Sequence, residues 1–310
     1  LRTRRNPANG NSQLGNIMIG LQKVTAEDLS PLFHFIAKEE EECITLVSHL
    51  NMKDMDQYPS YILRNESKIL GVLMFSEAGL LLSYLPFCKN IMEFSLDEIT
   101  EIQRKIAMLF TKKKPYCITG SKYGSDFLEN CLQNVYGVEP REKRNYHLMV
   151  HEETSPSLEL KSISLQSSFE ILLCNQNDIE GIFPLQQGYD IEEVLPLGDE
   201  YDFHAARLQL FTNLKKQRTL AARSHETGLF VSKVSSNAIG INWIQLGGVY
   251  TRPQYRGKGI ASVLVHEMTK LVEKEGKKVA LFVKLQNTPA QKAYFNAGFV
   301  KKGSYSILYY

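Results

Sequence analysis

The sequence predicts two α/β domains in tandem, each a mixed sheet with helices packed on it. Three observations carry this expectation. Short apolar runs of strand length alternate with longer amphipathic stretches, and they do so in the same order in both halves of the chain. The ends of the halves also match in pattern. "VYGVEPREKRNYHLMV" and "NAGFVKKGSYSILYY" each run from a helix end through Gly, an apolar residue and a basic turn into an aromatic-rich strand. Between the halves, residues 151–167 are rich in Ser, Glu and Pro, and 310 residues are enough for two cores. The expected division is a basic, polar, flexible leader over 1–16, a first domain over 17–150, a linker over 151–167 and a second domain over 168–310.

In the first half, "IMIGLQKV" reads as a strand and residues 25–50 as a helix, with Thr25 as N-cap and Asp28 three residues on. The acidic run Glu39–Glu42 reads as a solvated helix face. "YILR", "KILGVLMFSE" and "GLLLSYLP" form a meander of strands broken by Asn, Glu, Gly and Pro. Residues 97–110 put Ile99, Ile102, Ile106 and Leu109 on one helical stripe. "YCITG" is a strand, "SDFLENCLQNVYG" a helix and "NYHLMV" a closing strand. The linker's "LELKSISL" also fits a strand. In the second half "FEILLCN" is a strand, followed by a helical region broken at Pro184 and a helix over 203–216. "TLAARS", "GLFVSKVSS" and "IGINWIQLGGVYT" are strands. Residues 260–275 are a helix, "KVALFV" a strand, 289–296 a helix and "YSILYY" the last strand.

Composition narrows the function classes. The net charge is +2, with 43% hydrophobic and 23% charged residues, so bulk charge points to neither nucleic acid nor a membrane surface. No stretch approaches the ~18 apolar residues of a membrane span. Five cysteines (Cys43, Cys88, Cys117, Cys131, Cys174) never fall as C-x-x-C, which speaks against a zinc ribbon or a disulfide framework. Reduced buried thiols and a cytoplasmic location are expected, with no metal.

The segment that calls for chemistry is "QYRGKGIA", residues 254–261. Gly257 and Gly259 lie between a strand ending "GGVYT" and a helix with Ile260, Leu264, Met268 and Leu271 on one face. Free amides and the positive dipole end of a helix favour an anion there. Glycines admit a phosphate close to the backbone, and Arg256 and Lys258 add charge. A P-loop fails on spacing, because Gly259 follows Gly257-Lys258 where a hydroxyl is needed. A dinucleotide fingerprint fails because Ser262 stands at its third glycine. A phosphate or pyrophosphate remains.

This loop resembles the Q/R-x-x-G-x-G/A loop of the GCN5-related N-acetyltransferase (GNAT) superfamily, and "NTPAQKAYFNAGF" is similar to its Asn…Ala…Tyr…Gly-Phe signature. The resemblance in motif covers roughly 240–300, and in fold about 168–310. It implies a GNAT fold for both domains, the first one degenerate, and acetyl-CoA as co-substrate. It further implies that Val249, Tyr250 and Thr251 bind the pantetheine arm through their backbone. Gln254, Arg256, Gly257, Lys258, Gly259, Ile260, Ala261 and Ser262 would hold the pyrophosphate. Asn287 would touch the coenzyme and Tyr294 would act as the acid for the departing thiolate. Thr288 suits the N-cap of that last helix and Pro289 its first turn, which sets Asn287 and Tyr294 two turns apart on one face.

The expected activity is N-acetylation of a primary amine on a small-molecule or peptidic acceptor, by a chain that can pair as a homodimer. Glu192, Glu193, His204, His225 and Glu226 all lie in the acceptor-facing part, and none is singled out as the base. The alternatives are an acyltransferase using another donor and a non-catalytic acyl-CoA-binding regulator. The first half has no G-x-G loop: "FCKNIMEFSLDEI" leads into its helix with Asp97 and Glu98, and such carboxylates compete with a phosphate for free amides. One CoA per chain is therefore expected.

Overall fold

The computed structural model describes residues 18–51, 56–152 and 156–310; the expected leader lies outside them. Among the described residues twelve strands join in one sheet. The first half supplies β1 (Ile19–Lys23), β2 (Ser60–Asn65), β3 (Lys68–Phe75), β4 (Leu80–Tyr84), β5 (Cys117–Ser121) and β6 (Glu142–His151). Its helices are α1 (Leu29–Ile36), α2 (Ile44–His49), α3 (Leu96–Lys112) and α4 (Lys122–Tyr136). Helix α5 (Pro156–Leu165) leads into the second half. That half runs β7 (Phe169–Cys174), α6 (Ile179–Tyr189), α7 (Phe203–Lys216), β8 (Thr219–Ser224), β9 (Phe230–Ile239) and β10 (Trp243–Thr251). It closes with α8 (Ile260–Glu273), β11 (Lys278–Lys284), α9 (Thr288–Asn296) and β12 (Phe299–Tyr309).

The sheet order is β1-β2-β3-β4-β5-β12-β6-β11-β10-β9-β8-β7. Two neighbouring pairs are parallel, β4 with β5 and β10 with β11, and the rest are antiparallel. The halves are exchanged at their last strands. β6 lies between β12 and β11, both from the second half, and β12 lies between β5 and β6, both from the first. The β6–β12 ladder runs from Phe299↔His151 to Tyr309↔Glu142. These are the two tails whose sequences match in pattern, and together they form the centre of a pseudo-symmetric sheet. Neither half can complete its sheet without the other's tail, because an unpaired strand edge leaves a row of backbone polar groups open.

Separate cores flank the sheet. Helix α8 packs Ile260, Val263, Leu264 and Met268 onto Ile244, Leu246, Val279 and Leu281. Helices α3 and α4 bury Ile102, Ile106, Phe127 and Leu128 in the first half. On the other face of the second half, α6 and α7 enclose Ile182, Phe183, Leu185, Leu210 and Tyr250. Ile44 of α2 reaches across the halves to Leu148, Val150, Ala238 and Ala280.

Five local expectations are corrected. The helix expected over 25–50 is broken into α1 and α2, with a tight turn at Glu40–Glu42 between them. Its acidic run is not a solvated face. Glu40 is fully buried, and its carboxylate accepts from Asn242 N (3.0 and 3.1 Å), Asn242 Nδ2 (3.0 Å) and Trp243 N (3.3 Å) at the β9–β10 turn. Pro184 does not break α6, because Ile182, Phe183 and Leu185 are all buried beside it. Their burial outweighs one lost backbone bond. Residues 156–165, expected as linker or strand, are helical. Leu158 and Ser162 are buried while Leu160 and Ile163 are exposed, a helical and not an alternating pattern. Lastly, Asn287 rather than Thr288 caps α9, its side chain accepting from Ala290 N at 3.1 Å.

Glu40, itself buried, thus ties the first half to the second through the donors of a partly exposed turn. Glu40→Ala is expected to cost about 1.5–3 kcal/mol in unfolding free energy, since it removes several charge-assisted hydrogen bonds to a buried carboxylate. A urea titration showing a loss under about 1 kcal/mol would mean that the turn is held by packing alone.

Candidate functional site

The parallel pairing of β10 with β11 ends at Leu246↔Leu281. Beyond it β10 bends away, and a one-residue bulge between Gly247 and Tyr250 marks its ladder with β9. A cleft of about 1110 Å³ opens there, lined by the exposed edge of β10, the first turn of α8, Asn287, Tyr294 and the stretch from Tyr189 to Val194. The bulge rests on Gly248, whose φ of 59° is open to glycine. Its carbonyl accepts from Lys233 Nζ at 2.8 Å. Lys233 is fully buried with its ammonium 5.3 Å from the centre of the Tyr189 ring. Burial pulls it down to about 8, opposed by the nearby Asp190 and Cys174.

The loop after β10 has the features of an anion cradle. Gly257 and Gly259 have φ of 78° and 80°, and Gly259 is the N-cap of α8 with no side-chain cap. Among the described residues, the amides of 257–261 donate to no protein acceptor, whereas Val263 N closes the first helical bond to Gly259 O. A Cβ on Gly259 would meet the end of Lys161, on α5, at 2.1 Å. Lys161 therefore lies against the positive pole of α8, where a further cation is favourable only if an anion joins it. Arg256 donates to Thr251 O at 2.9 Å and pairs with Glu192 at 2.7 Å. That pair is half exposed and weak, so a multiply charged phosphate can draw the guanidinium away from it. The residues fit a pyrophosphate.

At the other end of the cleft Tyr294 is buried, its ring 6.3 Å from that of Phe299. Burial raises its phenol well above the ordinary value, helped by Tyr189 and Glu193, so it stays protonated at neutral pH. Glu193 is held by Asn287 Nδ2 (3.1 Å) and Lys284 Nζ (3.0 Å). Asn287 thus spends its oxygen on the helix cap and its nitrogen on Glu193. Glu192 accepts from the Tyr250 hydroxyl at 2.8 Å.

Of the residues expected from sequence, Val249, Tyr250, Thr251, Arg256, Gly257, Gly259, Ile260, Ala261, Ser262, Asn287 and Tyr294 all line this cleft. Gln254 and Lys258 are exposed and do not; Lys258 lies 5.1 Å over the Tyr255 ring. Of the base candidates, Glu192 and Glu193 line the cleft, whereas His204, His225 and Glu226 do not. Sequence reasoning missed Lys161, because its helix was read as a linker. It also missed Lys233, although a lysine inside the apolar strand "LFVSKVSS" is itself a signal.

The equivalent place in the first half is closed. Pairing of β4 with β5 ends at Leu82↔Thr119, and Ser83 Oγ fills the gap by donating to Thr119 O at 3.1 Å. Helix α3 begins with a reciprocal cap: Ser95 Oγ accepts from Glu98 N, and Glu98 accepts from Ser95 N. Both observations support the expectation of a single anion cradle per chain.

A sheet that splits at a parallel pair is the mark of the GNAT fold; the split occurs in both halves, whose last strands are exchanged, and only the second half follows it with a glycine loop at a helix start. Residues 226–307 match the family model described as FR47-like protein. No curated protein sequence matches the chain. Among solved structures, a GNAT-family acetyltransferase from Colwellia psychrerythraea is 14% identical over 94% of this chain and 99% of its own, with a TM-score of 0.54. A GCN5-related N-acetyltransferase-like protein from Streptococcus suis is 16% identical over 93% and 100%, with a TM-score of 0.52. A tandem GNAT protein of the clavulanic acid biosynthesis pathway is 9% identical over 94% and 98%, with a TM-score of 0.50. The chain is a two-domain protein of the GNAT fold whose second half carries the FR47-like match. Among the described residues no helix is long and apolar enough to cross a membrane.

Lys233 gives a pH test of the site's scaffold. Its folded pKa of about 8 lies below the ~10.4 of an unfolded lysine, so the unfolded chain binds the extra proton between those values. Folding stability from this group is fully present above the unfolded pKa and is lost as pH falls through about 8. The unfolding free energy of the wild type should therefore rise relative to Lys233→Met between roughly pH 8 and 10. Parallel pH dependences for the two proteins would contradict a buried, depressed lysine.

Proposed function

We propose that the chain is an acetyl-CoA-dependent N-acetyltransferase acting on a primary amine of a small-molecule or peptidic acceptor. The observation that carries this reading is one cleft bounded by an uncapped helix start with two left-handed glycines and, at its far end, by a buried protonated tyrosine and a carboxylate. The amides of 257–261, Arg256 and Lys161 would hold the pyrophosphate, and the unpaired β10 edge over 247–251 would hold the pantetheine arm. Bound there, acetyl-CoA supplies an acetyl group activated as a thioester, which passes to the amine with release of the CoA thiol.

The protein's own residues then have separate tasks. Amides on the bulged edge of β10 face the acyl oxygen and stabilise the negative charge that develops on it. Glu193 accepts the proton that the amine loses on forming the new C–N bond. Tyr294 gives its proton to the sulfur as the C–S bond breaks and regains one from solvent. Asn287 and Lys284 orient Glu193, while Lys233 and Tyr189 fix the bulge. The first half closes its own cleft and serves as scaffold.

Gly259→Val is expected to lose acetyl-CoA binding, because the left-handed conformation is denied to a branched side chain and its bulk would displace Lys161 from the loop. Calorimetry on that variant, with circular dichroism to confirm folding, checks the assignment; normal binding would remove the cradle. Tyr294→Phe keeps the ring and removes the donor. Turnover in a thiol-release assay with an amine panel should fall about 10²–10⁴-fold while acetyl-CoA affinity holds. A loss under threefold with chemistry rate-limiting would leave Tyr294 a packing residue, and retained binding without any turnover would favour an acyl-CoA-binding regulator.

A further inference from the structure

The first half does more than close its own cleft. Its last strand, β6, stands inside the second half's sheet; Arg144 and Glu142 on it, with Arg141 just before it, bind the 193–199 segment beside the cleft. Arg144 Nη1 donates to Val194 O at 2.8 Å and to Glu193 O at 3.2 Å, and its Nη2 donates to Leu195 O at 2.8 Å. Its Nε is held by Glu142 Oε1, and Glu142 Oε2 accepts from Leu197 N at 3.0 Å. Arg141 makes a two-pronged pair with Asp199 at 2.7 and 3.1 Å. The Arg144 side chain is 10% exposed, with its guanidinium 5.2 Å from the centre of the Tyr309 ring.

The three carbonyls that Arg144 binds belong to the end of one helical stretch. Helix α6 continues into a wider turn over Asp190–Val194, closed by Leu195 N donating to Asp190 O at 2.7 Å. A helix end leaves its last carbonyls unpaired and carries partial negative charge, so a cation with several donors is the complementary group. The planar fork of arginine can serve all three carbonyls at once, which a lysine cannot do. That same turn presents Glu192 and Glu193 to the cleft. A change in where the turn ends moves the carboxylate of Glu193 directly.

We propose that Arg144 is a positioning residue for the transfer reaction, one that the first half contributes through its exchanged strand to set Glu193 at the acceptor end of the cleft. The proposal rests on the acetyltransferase reading for its catalytic consequence but not for the clamp itself. Arg144 lines the cleft, but its Nε and both Nη atoms are already engaged by Glu142 and the carbonyls of 193–195. It acts through the backbone of 193–195, and Glu142 and Arg141 extend the same hold to 197 and 199. On this view the exchange of strands couples the halves functionally: the acceptor wall of one half cannot form without the tail of the other.

The test uses the full chain, with Arg144→Gln, Arg144→Lys, Glu193→Gln and the double variant Arg144→Gln/Glu193→Gln. Hydrogen exchange read by mass spectrometry on peptides covering 190–200 should speed up at least tenfold in Arg144→Gln, and calorimetric acetyl-CoA affinity should stay within threefold. Thiol release from acetyl-CoA, with the best amine of a panel and with water alone, should fall at least tenfold in kcat/KM. The double variant should be no slower than Glu193→Gln alone, because the two residues act as one unit. Arg144→Lys, which keeps charge without the fork, should fall between wild type and Arg144→Gln and serves if Arg144→Gln does not fold. Unchanged exchange over 190–200 would overturn the clamp. Additive losses in the double variant, or faster exchange with unchanged kcat/KM, would overturn positioning through Glu193. If the wild type binds no acetyl-CoA the functional reading fails, and the positioning role fails with it even where the exchange result upholds the clamp.

Discussion

Beyond Leu246 the inner edge of β10 has no strand beside it, and its backbone groups must be satisfied by something other than β11. Buried peptide groups left without partners are costly, so the fold has to manage this edge deliberately. It does so by bulging the strand at Gly248 and anchoring that residue's carbonyl with Lys233, beside the Tyr189 ring. The remaining edge over 247–251 is open, and on the proposed reading its backbone groups suit the amides of a pantetheine arm. A buried ammonium is a poor contributor to stability, and its depressed pKa records the cost. Such a lysine makes sense where a strained peptide must be held in one orientation.

The same logic extends to the loop that follows. Gly257 and Gly259 turn the chain through the left-handed region so that successive amides point outward instead of into the helix. Arg256, and Lys161 from α5, converge on that pole. A protein at rest gains nothing from such a concentration of positive charge, and Glu192 relieves only part of it. Helix α5 is itself docked by Leu158, by Ser162 donating to Glu267 at 2.7 Å, and by Lys270 bridging Glu159 and Glu267. Glu159, His266 and Glu267 lie close enough together to share a cation, and the Lys270 ammonium sits among their carboxylates. The connection between the halves thereby becomes part of the wall around the loop.

Much of this was legible from residue order alone, and what was not has a physical reason. The glycine loop, the amphipathic α8 and the closing Asn287–Gly298 segment are local features, in which the residues that determine the structure are adjacent in sequence. Helix α7 falls over 203–216, where its pattern placed it. Glu40 was misread because nothing local distinguishes an acid bound to a turn two hundred residues away from one facing water. The α5 segment was misread because two of its apolar residues, Leu160 and Ile163, face outward, and the contacts that settle its period are with α8. Arg144 sat in a basic turn that no motif singled out; only the sheet order brings it under 193–195.

The strand exchange also explains how two similar folds came to do different work in one chain. A split parallel pair is present twice, but Ser83 fills one split and the Ser95–Glu98 cap closes the helix start beside it. Once a half holds no ligand, its helix start benefits from a cap worth about 1 kcal/mol, and a cleft benefits from being filled. The other half has to forgo both gains, leaving Gly259 uncapped and the β10 edge open. Stability surrendered there must be recovered elsewhere, and the exchanged tails supply it: eleven-residue β12 and ten-residue β6 pair along their length and each seals the other half's sheet. The closed half is therefore the reason the open half can remain open.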